Sequence, residues 1–348
     1  MQNKIVTRYF NKNKTLVVAE LSGNHNLKFK SAVKMINEAK KAGADAIKVQ
    51  LYTPDTITFN SSNKDFLLGS DNKWSKNKNL YSLYQKAYTP WSWYPKLKKL
   101  CDKKKLIFFP SVFDSTSVDF AIKHKTEILK IASPEINDIH LLKYISKKKI
   151  SIVMLSTGLG SLDEIKEAIS ILKQNKKTKI VLMKCNSAYP ATLKDMNLKT
   201  IGTYEKKFNV IPGISDHSLD SLAPVVAVSF GAKVVEKHFS LSKNSIDGFF
   251  SLNTIEFKKM VSQIRETETL IGSKSYEISK DSKKNLFAKR SLYIVKDMDI
   301  NEKFSLLNVK SIRPAYGIST RYLDKIIGKK SNKKLKAGSR MSLKYLVK

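Results

Sequence analysis

The sequence predicts an α/β fold: a (β/α)8 TIM barrel followed by a small β-rich domain. Three observations predict it. Eight short runs rich in β-branched residues alternate with segments of helical spacing. Nearly every run ends in a polar residue. After residue 271 the alternation stops and extended runs with turn residues take over. Apolar runs separated by helices are what a parallel sheet requires, because parallel strands are covered on both faces and joined by crossovers.

In order, the predicted strands are Thr15–Glu20, Ala44–Gln50, Leu106–Ser111, Glu127–Ile131, Ile150–Ser156, Lys179–Cys185, Val210–Ser215 and Val234–His238. Helical spacing marks Lys30–Lys41, Ser117–Lys123, Asp163–Lys173, Leu219–Val228 and Thr254–Leu270. The stretch Leu51–Lys86, with Trp74 and several tyrosines, is too long for an ordinary βα loop and is expected to form one wall of a substrate pocket. Residues 1–271 are read as the barrel and 272–289 as a polar linker. Residues 290–348 are read as the second domain, with turns at Asp297, Asn301, Gly317 and Gly338.

Composition narrows the function. With 348 residues, 42% of them hydrophobic, the chain can bury a sizeable core, which excludes overall disorder. Lys plus Arg number 64 against 30 Asp plus Glu, a formal charge of +34. The lysines are spread along the chain, so they read as a basic surface suited to an anionic substrate and not as a nucleic-acid stripe. Two cysteines, Cys101 and Cys185, exclude a disulfide framework and a CxxC zinc pattern. A polar start and the lack of a long apolar run predict neither secretion nor a membrane span, hence a cytoplasmic protein.

Chemistry in such barrels gathers at the carboxyl ends of the strands. The residues there are Glu20, Lys48 with Gln50, Ser111, Lys130 with Ser133 and Glu135, Ser156, Ser187 with Tyr189, Ser215 with His217, and His238. Lys48 and Lys130 lie in strands, where an interior ammonium needs an anion; the alternative is that they point outward and snorkel to water. With the serines they would make a phosphate or carboxylate cradle. His217 and His238 end successive strands, so their imidazoles could share a divalent ion such as Mn²⁺, Fe²⁺ or Zn²⁺ and leave positions open for water and substrate. Glu20 and Glu135 are candidates for acid/base work or for the metal shell. His25, His124 and His140 read as structural, although His25 could line the mouth.

These residues sit in motifs: VAELSGNHN (18–26), AGADAIKVQLYTPDTIT (42–58), LKIASPEIND (129–138), LSTGLGSLDEI (155–165), KCNSAYPATLKDMNL (184–198), GISDHS (213–218), VVEKHFSL (234–241) and KSIRPAYGI (310–318). In these the chain resembles the sialic acid synthase family, and within it most closely the pseudaminic acid synthases. The resemblance implies a phosphoenolpyruvate-dependent transferase that condenses this substrate with the open-chain aldehyde of an N-acetylated amino sugar and releases phosphate. It further implies a C-terminal antifreeze-like (SAF) domain and a domain-swapped homodimer. The metal would be Mn²⁺, with Mg²⁺ or Co²⁺ as alternatives, on His217 and His238. Phosphoenolpyruvate would be held by Lys48, Ser111, Lys130, Ser133, Ser156 and Ser215. Gln50, Ser187, Tyr189, Asp247 and Arg313 would hold the sugar, Arg313 reaching it from the other subunit. Glu20 and Glu135 would sit beside the reacting carbons.

Two departures stand out: Asn186, where the family usually has Thr, and Val112, where it usually has Pro. The sugar expected is 2,4-diacetamido-2,4,6-trideoxy-L-altrose, with N-acetylneuraminate or legionaminate synthesis as the alternative. The alternatives of another class are a polyanion binder and a non-catalytic carbohydrate or ice binder. The first would show a nucleic-acid motif or a basic stripe, and the sequence has neither; the second does not need two lysines and two histidines in this arrangement.

Overall fold

The computed structural model describes residues 9–10, 14–70 and 72–347, and the chain parts into two compact units between Gly272 and Ser273. In the first unit eight strands close into a parallel barrel in chain order: β1 (Leu16–Glu20), β2 (Ala46–Leu51), β3 (Ile107–Val112), β4 (Ile128–Ile131), β5 (Ile152–Ser156), β6 (Lys179–Cys185), β7 (Ile211–Asp216) and β8 (Val234–His238). Closure comes from β1 pairing with β8, Glu20 beside His238.

Alternation along each strand decides what faces the interior. Leu16, Val18, Ala46, Phe109, Ile128, Met154, Val181, Met183 and Val234 pack inside the barrel. Their neighbours Val17, Ala19, Ile47, Leu129, Val153, Leu182 and Val235 pack against the helices. Two residues on from an interior residue is interior again. Lys48 follows Ala46, Lys130 follows Ile128, Ser156 follows Met154, and Glu236 and His238 follow Val234, so the same parity that fills the barrel lifts these polar groups to its carboxyl end.

The helices between strands begin where the sequence supplies caps. Asp114 caps Ser115–Lys123, Ser161 with Glu164 caps Leu162–Leu172, and Asn253 with Glu256 caps Thr254–Ile271. The long β2–β3 connection folds into short helices, Pro54–Ile57 and Leu80–Ala87 among them, followed by the barrel helix Tyr94–Lys103. Val112, where the resemblance led us to expect proline, pairs with Leu51 and extends β3; a proline there would have no N–H to donate to the ladder.

In the second unit β9 (Ser291–Ile294) pairs antiparallel with β10 (Val309–Ile312) over a small core of Leu292, Ile294, Met298, Phe304, Val309, Ile326, Leu335 and Met341. Asn301 and Gly338 take positive φ, 67° and 88°, at positions expected to turn. Within the polar segment before it lies a short helix, Lys280–Lys283, begun by Ser279. Among the described residues no helix is long and apolar enough to cross a membrane.

Candidate active site

At the carboxyl end of the strands lies a cavity of about 430 Å³. Its floor is charged and fully buried. The Lys48 ammonium is 2.9 Å from Glu20 Oε2 and 3.1 Å from Glu236 Oε1, and it donates to Ser111 Oγ at 2.7 Å. Lys130 donates to the same Glu236 Oε1 at 3.0 Å, as does Ser215 Oγ at 3.2 Å. Burial opposes charge on Lys48, but Glu20 and Glu236 outweigh it and hold its pKa above the ordinary lysine value. For Lys130 burial wins and the pKa falls: Glu236, and to a lesser extent Cys185, support its charge, but Lys48 repels it. Glu236 is the reverse case: burial opposes its charge, yet Lys130 and Lys48 keep it far below the usual carboxylate range.

Several buried polar atoms around this cavity have no partner among the described residues: Tyr52 Oη, Glu135 Oε2, Ser156 Oγ, Glu236 Oε2 and His238 Nδ1. Buried polar groups are nearly always hydrogen-bonded, and each orphan costs about 1–3 kcal/mol. Five in one lining mark a site whose bonds are completed by what enters it. Lys130 fits the pattern, since a lysine has three N–H donors and Glu236 Oε1 is its one hydrogen-bond partner among the described residues.

His217 and His238 face one another, ring centroids 5.3 Å apart. Nδ1 of His217 donates to the Asn186 carbonyl at 2.8 Å, which leaves its Nε2 as the lone-pair nitrogen. Burial first, then the His217 ring and Lys48, keep His238 well below its ordinary pKa and therefore neutral. Burial opposes charge on His217, but Cys185 and the Asn186 carbonyl outweigh it and raise its pKa, so His217 gives up a proton where a borderline divalent ion binds the two imidazoles. Among the described residues no group of three His, Cys, Asp or Glu side chains forms a ready metal cage, so the remaining positions would fall to water or substrate oxygens. Asn186 also shapes the turn after β6, where its side-chain oxygen accepts from Ala188 N–H at 3.0 Å.

The wall comes from the β2–β3 connection and from the loop after β8. Tyr52, Ile57, Trp74, Leu83 and Tyr84 line it on one side, Ile246, Asp247 and Phe250 on the other. Trp74 joins the two, its indole N–H reaching Asp247 Oδ1 at 3.0 Å and the Ile246 carbonyl at 3.1 Å. Ser22 donates to the other Asp247 oxygen, and Gln50 donates to Ser22 Oγ at 3.0 Å. Burial pushes the Asp247 carboxyl up; Ser22 and Trp74 pull it back.

The structure thus gathers Lys48, Gln50, Ser111, Lys130, Ser133, Glu135, Ser156, Tyr189, Ser215, His217, His238 and Asp247 around one cavity. Both lysines point inward, not to solvent. Three expectations change. Glu20 lies beneath the floor, because β1 register sets it beside Lys48 and Ser22 N–H takes its other oxygen at 2.8 Å; it is a counter-ion and not a lining group. Ser187 is half-buried and not among the lining residues, its Oγ 3.9 Å from Sγ of the lining residue Cys185. His25 does not line the mouth: it packs on Trp93 and near Thr89, and burial lowers its pKa to about 4. Arg313 lies in the second unit.

Sequence reasoning missed Glu236, Ser22 and Cys185. Glu236 was within reach of alternation, since in VVEKH it shares a face with His238. Its neighbour Lys237 faces the other way and forms a buried pair with Asp216 at 2.5 Å. Ser22 is in a loop, where no periodicity points.

Comparison with known proteins agrees with this frame. The NeuB family model matches residues 35–276 and the SAF domain model residues 289–339. The chain is 42% identical to a pseudaminic acid synthase of Campylobacter jejuni, over 93% of this chain and 94% of that one. It is 33% identical to an N,N'-diacetyllegionaminic acid synthase of the same organism, over 93% and 97%. Among solved structures, the N-acetylneuraminic acid synthetase of Leptospira borgpetersenii, bound to citrate, superposes with a TM-score of 0.69 at 30% identity, covering 78% of this chain and 90% of that one. By sequence match along most of its length and by the barrel that carries the site, the chain belongs to the NeuB family.

Proposed function

We propose that this chain is a pseudaminic acid synthase: it joins phosphoenolpyruvate, water and 2,4-diacetamido-2,4,6-trideoxy-L-altrose into pseudaminic acid and phosphate. The observation that carries this reading is the pairing, in one cavity, of an under-bonded lysine floor with two neighbouring imidazoles. Anion and aldehyde would there be held face to face. The nine-point difference in identity between the two Campylobacter jejuni relatives supports the pseudaminate sugar (42 − 33 = 9).

Lys48, Lys130 and the serines hold the phosphate and carboxylate, so that the methylene of the enol ester faces the sugar carbonyl and much of the entropic barrier is met in binding. A divalent ion on His217 and His238, Mn²⁺ in our reading, would polarise that carbonyl. As the new C–C bond forms, C2 becomes electrophilic and takes up water. We assign the proton of that water to Glu135, which lines the cavity and whose pKa is raised to about 7, chiefly by burial. Phosphate then leaves with the C–O bond. Arg313, in a homodimer, would bind the sugar's amide from the second subunit, so Arg313→Ala raises the sugar KM more than that of phosphoenolpyruvate.

The test is phosphate release by purified protein with three sugars: the altrose derivative, N-acetylmannosamine and the legionaminate precursor. Release is expected to need phosphoenolpyruvate, the first sugar and a divalent ion, and to stop on chelation. In ¹⁸O water the label is expected at C2 of the product. Label in phosphate, or turnover of another sugar alone, overturns the corresponding part.

A further inference from the structure

Of the unpartnered atoms around the cavity, Tyr52 Oη is one to which the chemistry above gives no role. The residue follows β2 directly and is 1% exposed. Its ring is held on several sides: edge-on to Phe113 with centroids 5.1 Å apart, edge-on to Tyr84 at 5.5 Å, and tilted against Tyr88 at 6.4 Å. The backbone is held too, its carbonyl accepting from the Trp91 indole at 3.1 Å. A ring so confined cannot turn its hydroxyl to bulk water. Yet that hydroxyl has no partner among the described residues, and Tyr52 lines the cavity.

A phenol in this setting is a donor. Burial, and then Tyr84, Asp247 and Glu20, push its pKa well above the ordinary tyrosine value, so the proton stays on. The surroundings restrict the acceptor. Phosphate and carboxylate are drawn to Lys48 and Lys130 on the floor, whereas Tyr52 packs on Tyr84 and Phe113, and Ile57 and Leu83 line the same cavity. The group that suits both presents a carbonyl oxygen and, two bonds away, a methyl. An acetamido group does so with an amide carbonyl, a stronger acceptor than the 5-hydroxyl oxygen that stands the same two bonds from the C6 methyl of this 6-deoxy sugar.

We propose that Tyr52 is a sugar-binding residue whose hydroxyl donates to an acetamido carbonyl of the substrate, with the acetamido methyl against the apolar wall. This rests on the acetamido-sugar reading and deepens it. In the free enzyme the hydroxyl is a buried group without a bond, and in the complex it gains one, so binding and stability should respond in opposite senses to its removal.

Tyr52→Phe keeps the ring contacts and deletes only the oxygen. Its thermal midpoint is expected to equal or exceed that of the wild type, its sugar KM to rise about five- to tenfold, and its phosphoenolpyruvate KM to stay within about twofold. The two singly deacetylated forms of the sugar locate the contact: with one of them wild type and variant should behave alike, because the interacting pair is already broken. An unchanged sugar KM, an equal rise in both KM values, a fall in thermal midpoint, or a full penalty with both deacetylated sugars overturns the assignment. Should the wild type turn over N-acetylmannosamine and not the altrose derivative, the substrate reading fails by itself. The Tyr52→Phe comparison then runs on N-acetylmannosamine, where only an effect confined to the sugar KM sustains it.

Discussion

The floor and the wall of the cavity are built by different means. On the floor, Lys48, Lys130, Ser215 and Glu236 come from four strands of the barrel, and the ladder fixes where each stands: Ser215 pairs with Glu236, Ser111 with Lys130, Glu20 with Lys48. On the wall, Tyr52, Trp74 and Tyr84 come from a connection with no ladder, placed by ring edges and indole hydrogen bonds. Backbone pairing locates a charge to a fraction of an ångström, which chemistry needs. Side-chain packing sets shape, which can be altered without touching the reacting groups.

Removing one member is the strongest way to break this contrast, because on the floor the charges depend on one another. Glu236→Gln leaves two buried ammonium groups with Glu20 alone, and is expected to destabilise the fold by about 3–5 kcal/mol in urea melts. Ser215→Ala, at the same carboxylate oxygen, should cost only about 1 kcal/mol. Inorganic phosphate should raise the midpoint of Glu236→Gln more than that of the wild type by replacing the missing anion. Equal costs for the two variants would show that the floor is not an interdependent set.

Next in size is a pH effect. The carboxyl of Glu135 is raised from 4.5 to about 7, by burial first. Between those values the folded state keeps a proton that the unfolded state has lost, so this group's contribution to stability falls as pH rises, and the loss is complete above about 7. The shift of about 2.5 units corresponds to about 3 kcal/mol. Glu135→Gln, neutral throughout, is therefore expected to gain about that much on the wild type between pH 4.5 and pH 8. A constant difference across this range would place Glu135 in water.

The same contrast explains what was legible in advance. The strands were readable because a parallel barrel buries both faces and so writes continuous β-branched runs; Ala44–Gln50 was expected where β2 runs Ala46–Leu51, and Lys179–Cys185 where β6 does. Most of the floor followed from strand ends. Glu236 was lost for a physical reason: a buried carboxylate that serves two lysines looks, in sequence, like any charged residue beside a histidine. Glu20 was misread in the complementary way, since only register shows that Lys48 covers it. Of the wall, the sequence marks the length and the aromatic content of the insertion. Which ring meets which loop depends on contacts like Trp74 with Asp247, separated by 173 residues.

That contact supplies the smallest and most selective effect. Trp74→Phe retains an aromatic ring against Tyr189, Phe249 and Phe250, whose centroids lie 5.6, 5.6 and 6.4 Å from the indole, and removes the N–H that holds Asp247 Oδ1. Ser22 still donates to the other oxygen, so Asp247 keeps one anchor and loses some of its orientation. A hydrogen bond to a charged acceptor is worth about 1.5–3 kcal/mol, and part of that is recovered by relaxation, so the sugar KM is expected to rise about tenfold. Phosphoenolpyruvate, held by the strands, should bind as before. If its KM rose in step with that of the sugar, the wall would be transmitting strain to the floor, and the two regions could no longer be treated as separable.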